Sequence, residues 1–355
     1  MWMLVASPIF GALLGYVYAQ IPQWLDRSKR SQSGNYDSLP KSLTMLLDAF
    51  EEERLKHKRR SDLWDMILFT VFGGLSWAYF TQLDPRMARL YFLVLLMFAA
   101  IMWIKSRFFR LKNFTVEYKQ EVLGGLIAGL DYRLEYARNQ RVPNQELANS
   151  GLFGIADVMD GKTPLTLEGE DYIHGEIDGI NLQISDLELY KGEGEQVRLV
   201  FTGTFLVAEF PKPFAGDIYV MPDFSEVHLL QDMLHQVANK KTYKVEAPQV
   251  AIDDADFEKV YEVYGSDISA TEALLTSGVR AQLMALDGKS DDTVQVACSF
   301  RGNYLYLGSL FSNLQFEPKL HRPVNRPEDW QAIYTQISLY LSLLAEVQKA
   351  QGGAE

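Results

Sequence analysis

The sequence predicts an α+β protein: a helical membrane anchor followed by a soluble domain on a mainly antiparallel sheet with flanking helices. Two long uncharged apolar runs near the N-terminal end, an uneven distribution of charge, and a switch of hydrophobic period beyond residue 141 predict it. Residues 1–112 hold 15 Lys+Arg and 9 Asp+Glu, whereas 113–355 hold 19 and 37. The formal charge of −12 therefore averages a basic part and a strongly acidic one. An apolar fraction of 48% excludes a disordered chain. The single Cys298 excludes a disulfide framework and a multi-thiolate metal site. The acidic balance argues against a duplex nucleic-acid partner, which needs a basic face.

The anchor elements follow in order. Met66–Leu83 is 18 residues without a charge, and Leu90–Ile104 is 15 more. A spanning helix needs about 20 mostly apolar residues, which the second run reaches if Met87 and Ala88 belong to it and Arg89 snorkels. Asp84-Pro85-Arg86 makes a polar turn between them, so 63–104 reads as a transmembrane hairpin. Arg54, Lys56, Lys58, Arg59 and Arg60 precede it, and Lys105, Arg107, Arg110 and Lys112 follow it. Basic residues gather on cytoplasmic flanks, which puts both ends, and the acidic domain beyond, in the cytoplasm, with the bilayer as a partner.

Met1–Leu25 carries no charge and is followed by Arg27, Lys29 and Arg30. Three readings fit it: a third spanning helix, a helix lying in the interface, or a cleaved signal peptide. Its length and basic stop favour the membrane helix, and the missing basic n-region weighs against the signal peptide. Residues 26–62 form a linker and a charged amphipathic helix, with Leu43, Leu46, Leu47 and Phe50 as its apolar stripe. Residues 105–142 are a basic flank and stalk helix, apolar at Val116, Val122, Leu123, Leu126, Ile127, Leu130 and Leu134.

Residues 143–350 are the soluble α+β domain, and 351–355 a tail. Tyr172–Ile180 and Leu182–Leu189 alternate apolar with polar, as half-buried strands do. Val197–Phe210 is β-rich, with a kink or hairpin near Gly203. Asp217–Met221, Phe257–Tyr264, Val294–Phe300 and Tyr304–Leu310 are further strands, the last two joined by a tight Gly302-Asn303 turn. Helical patterns occupy 224–238, 269–287 and 328–349.

Several short segments occur in a fixed order: Ser150-Gly151-Leu152-Phe153, Gly169-Glu170-Asp171-Tyr172-Ile173-His174-Gly175, Ile184-Ser185-Asp186, Phe201-Thr202-Gly203-Thr204-Phe205 and Val220-Met221-Pro222-Asp223. Phe257-Glu258-Lys259, Tyr264-Gly265-Ser266-Asp267, Leu274-Leu275-Thr276 and Phe316-Glu317-Pro318 continue the series. Taken together over 113–350, the chain resembles the bacterial domain-of-unknown-function family 3137. Asp186 stands where that pattern often has Glu. The family has no assigned catalytic residues to carry over. Its members occur near genes for LemA-type membrane proteins, so the resemblance implies a membrane-complex role, a LemA-type partner and the bacterial cytoplasmic membrane.

Glu170, Asp171 and His174 form the candidate polar cluster, with Glu176 and Asp178 nearby. Paired carboxylates suit acid–base work or a hard divalent cation, and equally a solvated turn. Asp253, Asp254 and Asp256 are a second acidic group without the spacing of a calcium loop. His228 and His235 stand two helical turns apart, about 10 Å along the axis, too far to share a metal. No nucleophile elbow, phosphate-binding loop or dinucleotide fingerprint occurs, so no cofactor is expected. The expected function is a membrane-anchored, cytoplasm-facing binding or scaffold module of a membrane complex; the alternative is a carboxylate- or metal-dependent enzyme with its site near 168–178.

Overall fold

The computed structural model describes residues 41–82, 94, 97, 101, 115–131, 133–153, 165–194, 197–222, 247–287, 295–310 and 322–352. The chain divides into two compact units, Met1–Gly125 with Glu317–Trp330, and Leu126–Phe316 with Gln331–Glu355.

In the first unit, α1 runs unbroken from Lys41 to Gln82. The charged amphipathic stretch and the first apolar run are thus one helix, with no break at residue 62. Its buried stripe carries Leu47, Phe50, Arg54, Ser61 and Asp65 at helical spacing. Arg54 is ion-paired with Glu51 at 2.5 Å, and the Glu51 carboxylate also accepts from the Val324 backbone N–H at 3.0 Å. Phe50 meets the Tyr118 ring edge-on, 6.3 Å between centroids. A π-helical turn, Lys119–Leu123, leads into α2 (Gly124–Leu130). Among the described residues, no helix is long and apolar enough to cross a membrane. Val94, Met97 and Ile101 are helical; the rest of the second apolar run, Met1–Leu25, Lys105–Lys112 and the helix expected at 224–238 lie outside the described residues.

The second unit is an eight-stranded, wholly antiparallel sheet with flanking helices. Its strands are β1 (Leu134–Ala137), β2 (Leu165–Ile177), β3 (Ile180–Lys191), β4 (Arg198–Glu209), β5 (Ile218–Pro222), β6 (Tyr261–Gly265), β7 (Gln295–Arg301) and β8 (Tyr304–Leu310). The spatial order is β1-β2-β3-β4-β8-β7-β5-β6. The helices are α3 (Asn144–Ser150), α4 (Ala255–Glu258), α5 (Ile268–Leu274), α6 (Ser277–Asp287) and α7 (Pro327–Gly352).

Turn chemistry fixes the register. Asp178 (φ 52°) and Gly179 (φ 82°) both take the left-handed region, which sets Ile177 opposite Ile180. Gly302 (φ 58°) does the same where Arg301 faces Tyr304. Val197–Phe210 proves to be one strand rather than a hairpin; Gly203 sits inside β4, opposite Leu187 and Leu310. The stalk helix ends at Leu130, and residues expected to continue it form edge strand β1. Asp131 makes the break: its carboxylate accepts from the Arg133 backbone N–H at 2.9 Å, a local bond that competes with helix. The helix expected over 269–287 is two, α5 and α6, broken at Leu275-Thr276.

Both faces of the sheet are covered. In β3, Ile180, Leu182 and Ile184 are buried on one side, and Ser185, Leu187 and Leu189 on the other. The second of these faces packs under residues 142–153, with Phe153 4.9 Å from Phe201 and 5.8 Å from Phe205 between centroids. Buried hydroxyls pin that segment: Ser299 Oγ donates to the Ser150 carbonyl at 2.6 Å, and Ser185 Oγ accepts from the Val142 N–H at 3.0 Å. Over β6 the other face meets α6, where Tyr261 Oη donates to the Leu283 carbonyl at 3.2 Å.

Candidate functional site

The predicted cluster falls on β2, where the pairing with β3 slips between Glu170 and Ile173. The slip is a β-bulge, and Asp171 occupies it at φ 60°. Asp tolerates this region better than most residues because its short polar side chain bonds locally. Here the Asp171 N–H donates to the Arg138 carbonyl at 3.1 Å. Asp171 is 3% exposed, and its carboxylate accepts from Tyr136 Oη at 2.5 Å. Burial, then the Asp171 charge, pushes the Tyr136 phenol well above its ordinary range. Tyr136 is therefore a hydrogen-bond donor and not a base.

The register separates the three predicted residues. Tyr136 pairs with Ile173, which pairs with Ile184, and two residues along β3 Asp186 pairs with Glu170 and Thr204. Residues paired in register share a face. Glu170, Asp171 and Asp186 consequently lie on the Tyr136 face, where Thr204 Oγ1 donates to Asp186 at 2.8 Å. Glu170 itself is exposed. His174 lies on the opposite face, across from Glu135 and Gln183. It stacks on Tyr172, 4.9 Å between centroids, with Nε2 3.9 Å from Glu135. The bulge puts Glu170 and Asp171 on the Asp186 face and His174 on the opposite one.

The His174 face carries polar aromatic groups that sequence reasoning did not single out. Tyr172 Oη donates to Gln183 at 3.0 Å, and Tyr306 Oη donates to Glu146 of α3 at 3.2 Å. The row His174, Gln183, Val207, Tyr306 crosses four strands in register. Burial raises the pKa of Tyr172 and Tyr306, with the Glu146 charge next in effect. Part of the signal was available: Tyr304 and Tyr306 at alternating positions of β8, like Tyr172 and His174 of β2, imply a shared face.

The other singled-out residues have structural partners. Asp178 accepts from Arg133 at 2.8 Å, fastening the β2–β3 turn to the start of β1. Asp254 caps α4, accepting from the Phe257 N–H at 3.2 Å, and pairs with Arg280 at 2.8 Å. That backbone bond, then Arg280, lowers its pKa. Ser150 Oγ donates to the Leu147 carbonyl at 2.6 Å. Cys298 is fully buried, and burial pushes its thiol far above the ordinary range. Lys56 pairs with Glu52 at 2.9 Å, Lys58 is half-buried, and Arg59 and Arg60 are exposed. Lys105, Arg107, Arg110, Lys112, His228 and His235 lie outside the described residues.

Among the described residues, one trio of metal-ligating side chains has its ligand atoms within 4.8 Å of one another: Glu53, His57 and Glu117 of the first unit. Both carboxylates are exposed, and His57 Nε2 is 3.9 Å from Glu117. The bulge carboxylates form no such set among the described residues.

Residues 199–349 match the family model described as "Protein of unknown function (DUF3137)". Over this segment the chain is similar to the DUF3137 family. The segment runs from β4 through most of α7, a narrower span than the 113–350 expected from the ordered segments. The bulge, Asp171 and His174 lie before the DUF3137 match, whereas Thr204 and Tyr306 fall inside it. No curated protein and no solved structure matches the chain.

Proposed function

We propose that this chain is a membrane-tethered binding module, held by apolar helical segments at the cytoplasmic face of a bilayer, whose sheet domain recruits a partner in a membrane complex. The observation that carries the reading is α1. Its last 17 residues, Met66–Gln82, carry no charge. At the helical rise they span about 25 Å, against a hydrocarbon core of about 30 Å; the uncharged run continues to Leu83, beyond the described residues. Large apolar side chains stand exposed just before and within it: Leu63 (53%), Trp64 (55%), Ile67 (42%) and Val71 (54%). A series of this kind on a helix surface marks an interaction site rather than scattered surface residues.

A recruiting role is favoured over catalysis by the geometry of the sheet. His174 is on the face opposite Glu170 and Asp171, and the serines of 150, 185 and 299 are committed to backbone bonds. The cytoplasmic orientation rests on the basic residues before and after the apolar runs. Alkaline extraction of membranes from cells making the full chain is the test. Retention in the membrane pellet is expected, together with a stoichiometric protein partner on purification in gentle detergent. Release into the supernatant overturns the tether; retention with no partner overturns the recruiting role.

A further inference from the structure

We infer that α1 crosses the headgroup layer between Arg59 and Trp64 and that its arginines select anionic phospholipid there; this rests on the membrane reading above. The exposed face of α1 changes character over less than one turn. Lys56, Arg60, Leu63, Ile67 and Val71 follow one another at three- and four-residue steps, so they share one side of the helix. Lys56 is neutralised by Glu52 at 2.9 Å. Among the described residues, Arg59 and Arg60 have no ion-pair partner, and both are exposed. Arg60 and Leu63 are separated by about 4.5 Å along the axis. Beyond that step the exposed large side chains are Leu63, Trp64, Ile67 and Val71.

This order has a physical match in one surface. Guanidinium groups bind phosphodiester oxygens through paired, charge-assisted hydrogen bonds. Indole rings settle at the boundary between headgroups and acyl chains. Apolar side chains of this size then enter hydrocarbon, removing from water an area that costs about 25 cal/mol per Å² to leave exposed. A helix of another protein would cover the apolar part, but would leave Arg59 and Arg60, which have no ion-pair partner among the described residues, without one. An anionic bilayer answers both parts.

The test uses the full chain reconstituted in vesicles of phosphatidylcholine, with and without phosphatidylglycerol. Nitroxide labels are placed one at a time at Lys56, Ile67 and Val71 through cysteine substitution, the buried Cys298 being left in place. Labels at 67 and 71 are expected to be relaxed by oxygen more than by a water-soluble nickel chelate, and the label at 56 the reverse. Phosphatidylglycerol is expected to be enriched among the co-purifying lipids. The Arg59→Gln, Arg60→Gln double variant should lose that enrichment, by up to about fivefold per charge, while Arg59→Lys, Arg60→Lys largely keeps it. Unchanged enrichment in the Gln variant, with 67 and 71 still in hydrocarbon, overturns this inference and leaves the tether standing. Labels at 67 and 71 shielded from both relaxants would mean a protein partner covers the stripe, which also overturns it. Labels at 67 and 71 open to the nickel chelate would overturn the tether itself.

Discussion

Replacing Asp171 separates three effects that coincide at the bulge: a positive φ, a buried carboxylate, and a donor fixed on the neighbouring strand. Asn keeps an acceptor and tolerates the left-handed region, so Asp171→Asn should cost little, about 1 kcal/mol or less. Gly removes the strain and the acceptor together. Ala removes the acceptor but keeps a Cβ in a conformation that costs an ordinary L-residue about 1–2 kcal/mol. Losing a hydrogen bond to a charged group adds about 1.5–3 kcal/mol. The order of stability is therefore wild type, Asn, Gly, Ala, with Ala lower by about 2.5–5 kcal/mol. For a unit of this size that is about 5–20 °C in Tm. Thermal unfolding of the full chain, followed by circular dichroism, measures the order. Tyr136→Phe completes a double-mutant cycle, and coupling of about 1–2 kcal/mol with Asp171→Ala is expected. Equal melting of the Asn and Ala variants, or coupling near zero, would refute the assignment of stability to this bond.

Three further outcomes are expected. Burial of Asp287 raises its pKa from 3.8 to about 6, offset in part by the bond from the Val296 N–H. The folded state therefore binds the proton more tightly than the unfolded chain, so this stabilisation is full below pH 3.8 and is lost as pH rises through about 6. Asp287→Asn should raise Tm at pH 8 and flatten its change between pH 5 and 8; an unaltered pH profile refutes the cause. Cys298 should resist iodoacetamide in the native chain and react at once in denaturant, read by intact mass, since it is buried and its thiolate disfavoured. Gly179→Ala puts its Cβ in ordinary van der Waals contact with Pro211, at 3.6 Å, but keeps φ at 82°, so about 1–2 kcal/mol is lost through conformation alone. Asn at the same position should restore part of the melting temperature.

The strands were legible where the sheet gives each one a repeating environment. Alternation in β2 and β3 marks those strands, and the Asp178-Gly179 and Gly302-Asn303 pairs mark the turns. β5 shows no alternation because all five of its residues are buried, both faces being covered. Edge strand β1 was hidden inside an apolar pattern of helical period: Leu130 and Leu134 sit four apart whether or not the helix continues. The evidence against continuation was one residue, Asp131, whose capping chemistry favours a turn. The site was less legible than the strands. A bulge adds one residue to a strand without a compositional mark, and that residue alone decides which face its neighbours take.

The bulge changes what Asp171 is for. Sequence order set Glu170, Asp171 and His174 together as a candidate polar cluster. Without the bulge, strict alternation would put Glu170, Tyr172 and His174 on one face. With it, Asp171 turns to the Tyr136 side and accepts from that phenol, while its N–H takes the Arg138 carbonyl just past the end of β1. β1 has only four residues and is the outermost strand. An edge strand so short gains little from its ladder and is exposed to fraying or to pairing with another chain. Both bonds of Asp171 end on β1 or directly beside it, and Arg133 ties its other end to Asp178 of the β2–β3 turn. Asp171 and Asp178, two of the acidic residues that first suggested chemistry, therefore act on the same object, holding the edge of the sheet in register, and the Tyr172–His174 face on the other side is the one that packs toward residues 142–153.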